Sequence, residues 1–522
     1  MSYRCRFFLV IFCLLLSSCS SESVSFCVLE TTDLHGHFDG PVMKTATYIR
    51  QMQEKYDDRL LLLDAGDYLQ GTPGVYYSNF IDTVDQHICS RFFNFFPYTA
   101  IGVGNHDIEA GIETFNRVYR QAEMPVICAN VVEKESGTPY FTPYIIIKKR
   151  GIKIAVLGLL TPYVSSWVAA HLRPGLDFLS IEKAAREWVV TIKEKENPDI
   201  IIGLIHTGAD GGMEGSLGLE NAATWIARNV PGFNLICYGH DHRPYAGYVL
   251  NSLKDTVWLL NAGAHGQKIG NALITINKGR IPKVSVSACL LDAEAFPADS
   301  LYFRELEPVF NRVREYENSP IAEILNTMRS DSAMQGPCSW LDEIHLGQLE
   351  MAGLGTDILP DVSIASALTP NGVINKGQLY LKDFFSWLPY ENSMCIIRMM
   401  GNEIVKYLEY SYENAGSVIN FDTAAGIIYT VHKDRPAGKR IEIHRMADGT
   451  AFNPDRRYNV VMNSYRTLGG GGHLTQGMGL TTKQVQNRIV WESRADMRHM
   501  FMDWERSRSP FRAVTLNHWQ YK

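Results

Sequence analysis

Eight polar residues close short apolar runs in the first half of this chain: Asp33, His35, Asp67, Asn105, His106, His206, His240 and His242. They are imidazoles, carboxylates and one amide, with no thiolate among them. Such a set suits zinc, manganese, iron, cobalt or a harder, calcium-like ion, and it fits two ions better than one. A carboxylate such as Asp67 can bridge two ions about 3.5–4 Å apart. A pair of ions clamps a phosphoryl oxygen and lowers the pKa of a bound water, so that hydroxide is available near neutral pH. The reaction class is in-line hydrolysis of a phosphate ester. His106 need not be a ligand, because beside Asn105 it can stabilise charge or protonate the leaving oxygen. Any one of these segments alone reads as an ordinary polar turn. Five in series, each behind a buried-type run, make coincidence a poor account.

The elements that must position them are legible as apolar runs. Phe26–Leu29 precedes Asp33 and His35, Leu60–Leu63 precedes Asp67, Thr99–Val103 precedes Asn105, Ile200–Ile205 precedes His206, and Leu235–Tyr238 precedes His240 and His242. Residues two apart in an extended segment point the same way, so Asp33 and His35 are expected on one side of a strand end. Continuous rather than alternating runs predict strands covered on both faces. Ile152–Leu160 reads as another such strand and Ile181–Lys195 as a helix. This is an α/β layered domain with its site at the carboxyl ends of strands. His265 follows a further strand and has no assigned role. His87, His171, His345, His432, His444, His499 and His518 read as surface or partly buried side chains.

At 522 residues the chain exceeds the size of one core, so two domains are expected. The formal net charge of −6 carries no basic surplus, which argues against polymeric nucleic acid as a partner. Ten cysteines are scattered without close pairs or zinc-ribbon spacing, so no disulfide framework is expected. Arg4 and Arg6, the apolar run Phe7–Leu16 and Ser17-Ser18 have the layout of a secretory signal, too short to span a bilayer. Leu16-Ser17-Ser18-Cys19 resembles the lipobox of bacterial lipoproteins, which implies cleavage before a lipidated Cys19. Residues 299–317 carry Leu301, Phe303, Leu306, Val309 and Val313 at helical intervals and read as a connecting helix. A second domain then holds a helix at Leu341–Ala352, strands at Cys395–Met399 and Tyr458–Met462, and the run Gly469–Gly472.

The ordered motifs Asp-x-His, Gly-Asp, Gly-Asn-His, His and Gly-His-x-His resemble the calcineurin-like metallophosphoesterases. From residue 25 to about 475 the chain resembles the two-domain secreted bacterial 5′-nucleotidase family. The resemblance implies a four-layer metallophosphoesterase β-sandwich flanked by helices, a connecting helix, and a second α+β substrate-binding domain. The implied boundaries are a signal peptide over 1–18, a metallophosphoesterase domain over 24–298, a connecting helix over 299–318 and a nucleotide-binding domain over 319–522. It implies one ion on Asp33, His35, Asp67 and His242, a second on Asp67, Asn105, His206 and His240, and His106 as the catalytic histidine. The family places an aspartate three positions beyond that histidine to orient it; here the position holds Glu109. Leu388-Pro389-Tyr390-Glu391-Asn392 and Asn463-Ser464-Tyr465 match the elements whose aromatics sandwich a nucleobase. Tyr390, Asn392 and Tyr465 are thus implied in substrate binding, with stacking worth about 1–3 kcal/mol per base.

Family members that cleave 5′-monophosphates carry an arginine in the loop that here reads Thr369-Pro370-Asn371-Gly372. With Asn371 in the substrate-binding set instead, the chain resembles the 2′,3′-cyclic-nucleotide 2′-phosphodiesterase/3′-nucleotidase branch more closely. The alternatives are a 5′-nucleotidase or UDP-sugar hydrolase of the same family, and a surface lipoprotein that binds nucleotides without turnover. The expected partners are small nucleotides and two divalent ions. The expected form is a monomer, exported and held to the cell envelope by a lipid at Cys19.

Overall fold

A computed structural model of the chain describes residues 23–277, 283–414, 416 and 418–522. The expected signal segment 1–18 and Cys19 lie outside the described residues.

The apolar runs form two facing sheets. The first has strand order Lys283–Asp292, Lys268–Asn277, Ser23–Thr31, Leu60–Asp64, Tyr98–Ile101. The second runs Tyr245–Leu250, Thr256–Asn261, Leu235–Tyr238, Ile200–His206, Ile152–Leu160, Tyr144–Lys149. The strands that lead into the polar turns are parallel within each sheet, so their carboxyl ends share one edge.

Both faces of these strands are buried, as the continuous runs predict. Phe26, Val28, Leu61 and Leu63 meet Val156, Ile202, Leu204 and Cys237 between the sheets. Cys27, Leu29 and Leu62, the alternate residues, pack under the helices Pro41–Tyr56, Ile88–Phe95 and Ile112–Arg120. Helices Ile181–Glu196 and Ala223–Asn229 cover the second sheet. The layers are helix, sheet, sheet, helix, and each large apolar side chain buried in them stabilises the fold by about 1.5–3 kcal/mol.

The helix expected to connect the domains spans Ser300–Glu317. Asp299 caps it, its carboxylate accepting from the Leu301 and Tyr302 amides at 2.8 and 3.0 Å. Tyr302, Leu306, Val309 and Val313 are buried among the same helices that cover the first sheet. The segment is therefore an outer layer of the first domain as well as a link.

The second domain is built on a mixed sheet of order Thr423–Ala425, Val362–Ala365, Arg457–Asn463, Met394–Met400, Ile489–Glu492, with the helix Ser339–Met351 against it. A three-stranded sheet, Ile441–Met446, Ile427–Val431 and Trp519–Tyr521, completes it. All seven cysteines among the described residues are free. At the seam, Tyr76 of the first domain is buried in the second domain's core, and its hydroxyl lies 2.8 Å from His499 Nδ1. The Gln70 side-chain amide donates across the same seam to the Pro389 carbonyl at 3.2 Å.

Four histidines expected near the surface are buried instead. His87 meets Asn79 Oδ1 at 2.9 Å, and His345 spans the Ser363 and Thr423 hydroxyls at 2.8 and 2.9 Å. His432 meets Glu442 at 2.7 Å, and His518 lies 3.6 Å from Asp342. A buried imidazole is tolerated where its nitrogens find partners, as those of His345 do, whereas neither nitrogen of His518 makes a hydrogen bond; no spacing along the chain marks such partners.

Candidate metal centre and interdomain cleft

At the shared edge of the two sheets the expected ligands converge. Among the described residues, Asp33, His35 and His242 offer donor atoms within 4.8 Å of one another, and Asp67, His206 and His240 form a second such group. Asn105 joins the second group, its Oδ1 lying 3.1 Å from His206 Nε2 and 2.8 Å from His240 Nδ1. His206 Nε2 is 3.0 Å from Asp67 Oδ2, and His35 Nε2 is 3.0 Å from His242 Nε2. His35 Nδ1 points to the Gln70 carbonyl at 3.2 Å, and His206 Nδ1 to the Ala65 carbonyl at 3.0 Å. These contacts fix each ring so that Nε2 is the nitrogen that faces the group.

The reason Asp33 and His35 share a side differs from the sequence expectation. The strand ends at Thr31, and both residues lie beyond it in left-handed backbone, with φ of 51° and 46°. Asp67, His240 and His242 have φ of 63°, 82° and 56°. Such conformations cost roughly 1–3 kcal/mol each and persist where the surroundings impose them. Here the loops brace each other. The Asp33 amide donates to the Gly66 carbonyl and the His35 amide to the Asp67 carbonyl, each at 2.9 Å. The Asp33 carboxylate accepts the His240 amide at 3.0 Å. A Cβ on Gly104 would overlap the Asp67 carboxylate, so only glycine fits there.

Charge follows geometry. Burial pushes the Asp67 carboxyl up, but His206 and His106 outweigh burial and hold it well below the usual carboxylate range. Burial pulls the His35 imidazole down to about 3, which keeps it neutral as a ligand must be. His106 stands on the short helix Asn105–Glu109, and its amide donates to Asp67 Oδ1 at 2.8 Å. Its Nδ1 lies 2.7 Å from Glu109 Oε2, three residues on and on the same helix face. The longer carboxylate therefore reaches the ring. Burial would lower the His106 pKa, but Glu109 and Asp67 outweigh it and raise the group to about 10.

Above this floor lies a cleft of about 760 Å³ walled by both domains. Asn105, His106, Trp167 and His240 line it on one side and Tyr390, Asn392 and Tyr465 on the other. Tyr390 and Tyr465 are among the few large aromatics left exposed, at 37% and 38%. Asn392 holds the second tyrosine, its Oδ1 accepting from the Tyr465 amide and the Ser464 hydroxyl at 3.1 Å. Asn371 is not among the residues that line the cleft. It is exposed in a left-handed turn, and Leu368 is the residue of that loop on the cleft wall. Gly372 beside it is pinned against Trp340, and its amide donates to Ser330 Oγ at 2.7 Å.

Beneath Tyr465, Arg466 is buried in a two-pronged pair with Asp422, Nε and Nη2 donating at 2.8 and 2.7 Å. Burial pushes the Asp422 carboxyl up, but Arg466 outweighs burial and holds it at about 2. An unfolded aspartate titrates near ~3.9. The stabilisation from this pair is thus complete above that pH and is lost as the pH falls through about 2. Asp422→Asn strands the buried guanidinium and should cost about 3–5 kcal/mol. Urea unfolding of both proteins between roughly pH 2 and pH 5 checks the size and the slope, from which the variant should lose the Asp422 contribution.

The calcineurin-like phosphoesterase family matches residues 28–244, and the 5′-nucleotidase C-terminal domain matches residues 318–477. The chain belongs to the two-domain calcineurin-like phosphoesterases. A trifunctional nucleotide phosphoesterase of Bacillus subtilis is 25% identical over 90% of this chain. The chain spans only 38% of that protein's length. A 2′,3′-cyclic-nucleotide 2′-phosphodiesterase/3′-nucleotidase of Salmonella typhimurium is 24% identical over 88% of this chain and 83% of its own. The fold of a Thermus thermophilus 5′-nucleotidase precursor superposes with a TM-score of 0.68 at 21% identity, over 95% of this chain and 99% of that one.

Phosphoesterases of this family use divalent metals, and the donor set of this chain fits them. Nitrogen and oxygen donors held about 2.1 Å from one ion at right angles lie ~3 Å apart, and the separations of 2.8 to 3.1 Å within the second group match this. Two residues of this phosphoesterase went unnoticed in the sequence. Asp107 accepts four amides, from Gly104, Asp67, Tyr68 and Leu69 at 2.8 to 3.0 Å, and so fixes the Asp67 turn. Its place inside Gly104-Asn105-His106-Asp107 was a usable signal. Glu220 lies against His240, and no pattern in the sequence announced it.

Proposed function

We propose that this phosphoesterase hydrolyses nucleotide phosphates in the interdomain cleft, with 2′,3′-cyclic nucleotides and 3′-nucleotides as its substrates. The observation that carries the proposal is the cleft itself: His106 and two of the candidate ligands, Asn105 and His240, line it together with the two exposed tyrosines. The base stacks between Tyr390 and Tyr465, and the phosphate rests over the ligand groups. Two divalent ions held there supply charge neutralisation at phosphorus and acidify water. His106 Nε2 faces the leaving oxygen and gives it a proton as the P–O bond breaks. Glu109 keeps the other ring nitrogen protonated and the ring in place. The name of the Salmonella relative and the absence of an arginine from Thr369-Pro370-Asn371-Gly372 favour this branch over 5′-nucleotidase or UDP-sugar hydrolase.

The experiment is phosphate release from 5′-AMP, 3′-AMP, 2′,3′-cyclic AMP and UDP-glucose, with manganese and with chelator, ring opening being followed by chromatography. Chelator-sensitive turnover of 3′-AMP and the cyclic nucleotide is expected. Turnover of 5′-AMP alone would replace the reading by 5′-nucleotidase. Binding of adenosine without any turnover would replace it by a nucleotide binder.

We further propose that the protein is exported and tethered by lipid at Cys19; what supports this is the pattern from Arg4 to Cys19. Among the described residues no helix is long and apolar enough to cross a membrane. In the same experiment the activity should sediment with membranes, and Cys19→Ser should release it.

A further inference from the structure

Three candidate ligand imidazoles are anchored differently. His35 and His206 direct Nδ1 to backbone carbonyls. His240 presents Nδ1 to the ligand group, 2.8 Å from Asn105 Oδ1, and turns Nε2 outward to the Glu220 carboxylate, with Oε1 at 3.4 Å. A carboxylate accepting the far N–H fixes the tautomer and makes the ligating nitrogen more basic than a carbonyl does. Glu220 is built in rather than incidental. Its Oε2 accepts the Met213 amide at 2.6 Å, its own amide donates to the Met213 carbonyl at 2.8 Å, and its carbonyl accepts the Thr207 hydroxyl. The face of the His240 ring is covered as well. The Trp167 indole stacks on it with centroids 5.5 Å apart and planes 22° apart. Trp167 and Glu220 both line the cleft.

We propose that Glu220 and Trp167 are positioning residues that set the affinity of the second ion by fixing the tautomer and plane of His240. The proposal rests on the two-ion reading above. Among the described residues no hydrogen bond, ion pair or ring contact joins Asp33, His35 or His242 to Glu220 or Trp167, so the two ions respond unequally to changes at Glu220. This makes the second ion separately adjustable. Loss of the Glu220 charge weakens one ion and spares the other.

The test counts ions. Manganese is titrated calorimetrically into metal-stripped full-length protein, and occupancy is measured after dialysis, for wild type, Glu220→Gln, Trp167→Ala and Trp167→Phe. Wild type should take two ions. Glu220→Gln should bind one of them about 10–100-fold more weakly, and Trp167→Ala should shift the same ion, with Trp167→Phe nearer to wild type. Turnover of Glu220→Gln should recover as manganese is raised, which a folding defect would not allow, and the melting temperature of the stripped protein should not move. Wild-type affinity for both ions in Glu220→Gln overturns the proposal. So does a loss of turnover that manganese does not restore, since that places Glu220 on the substrate. If wild type itself takes fewer than two ions, the two-ion reading fails instead, whatever the variants do.

Discussion

His106→Ala lowers turnover of the best substrate by about 10²–10⁴-fold, the loss falling on kcat with KM changed much less. The group sits where the mechanism needs it. Its amide is tied to Asp67 Oδ1 at 2.8 Å, Glu109 holds Nδ1 at 2.7 Å, and the ring lines the cleft. Glu109→Gln keeps the reach but removes the charge that raises the imidazole, so a smaller loss of the same kind is expected. Steady-state kinetics on both variants against 3′-AMP decides the matter. Turnover near wild type in His106→Ala would remove the histidine from the mechanism and leave the cleft to its ions alone.

The second large effect is at Asp67. Its carboxylate takes the His106 amide on Oδ1 and faces His206 Nε2 on Oδ2 at 3.0 Å. Asp67→Asn preserves the shape and removes the negative charge that would bridge two cations. Losing several kcal/mol of charge stabilisation, taken as about 4 kcal/mol, corresponds to a drop of about 10³-fold. Chelator treatment of wild type should produce a comparable fall that added manganese reverses, while Asp67→Asn should stay inactive at any manganese concentration. Turnover and ion content measured on the same samples check this. An ion-free protein with full turnover would end the metal-dependent reading.

The sheets were legible because runs such as Leu60–Leu63 and Ile200–Ile205 are short and continuous, as strands buried on both faces are. The ligands were legible because each follows such a run. The rest was hidden for physical reasons. Asp33 and His35 share a side through two left-handed residues, a conformation that strand periodicity does not encode. Glu220 and Trp167 reach His240 from loops whose course depends on tertiary bracing. Tyr76 reads as one more aromatic in sequence, yet it fills the core of the other domain. Asn371 rests on loop similarity alone, and in the structure Leu368 rather than Asn371 reaches the cleft lining. His345 is buried between Ser363 and Thr423, partners that carry no spacing signal.

The position of Ser23–Thr31 in the middle of its sheet constrains how the chain is born. One neighbour, Leu60–Asp64, is synthesised soon after it, but the other, Lys268–Asn277, is among the last strands of that domain. At ~5–20 residues per second the first strand waits roughly 10–50 s with one hydrogen-bonding edge unpaired. An exposed apolar edge is a template for unwanted pairing, and pairing so distant in the chain is intrinsically slow. Asp33 and His35 thus emerge at the beginning of translation and meet His240 and His242 only when the first domain is almost complete. Folding of the first domain is gated by completion of its length, and a nascent chain halted before residue 268 carries an open seam rather than a partial enzyme.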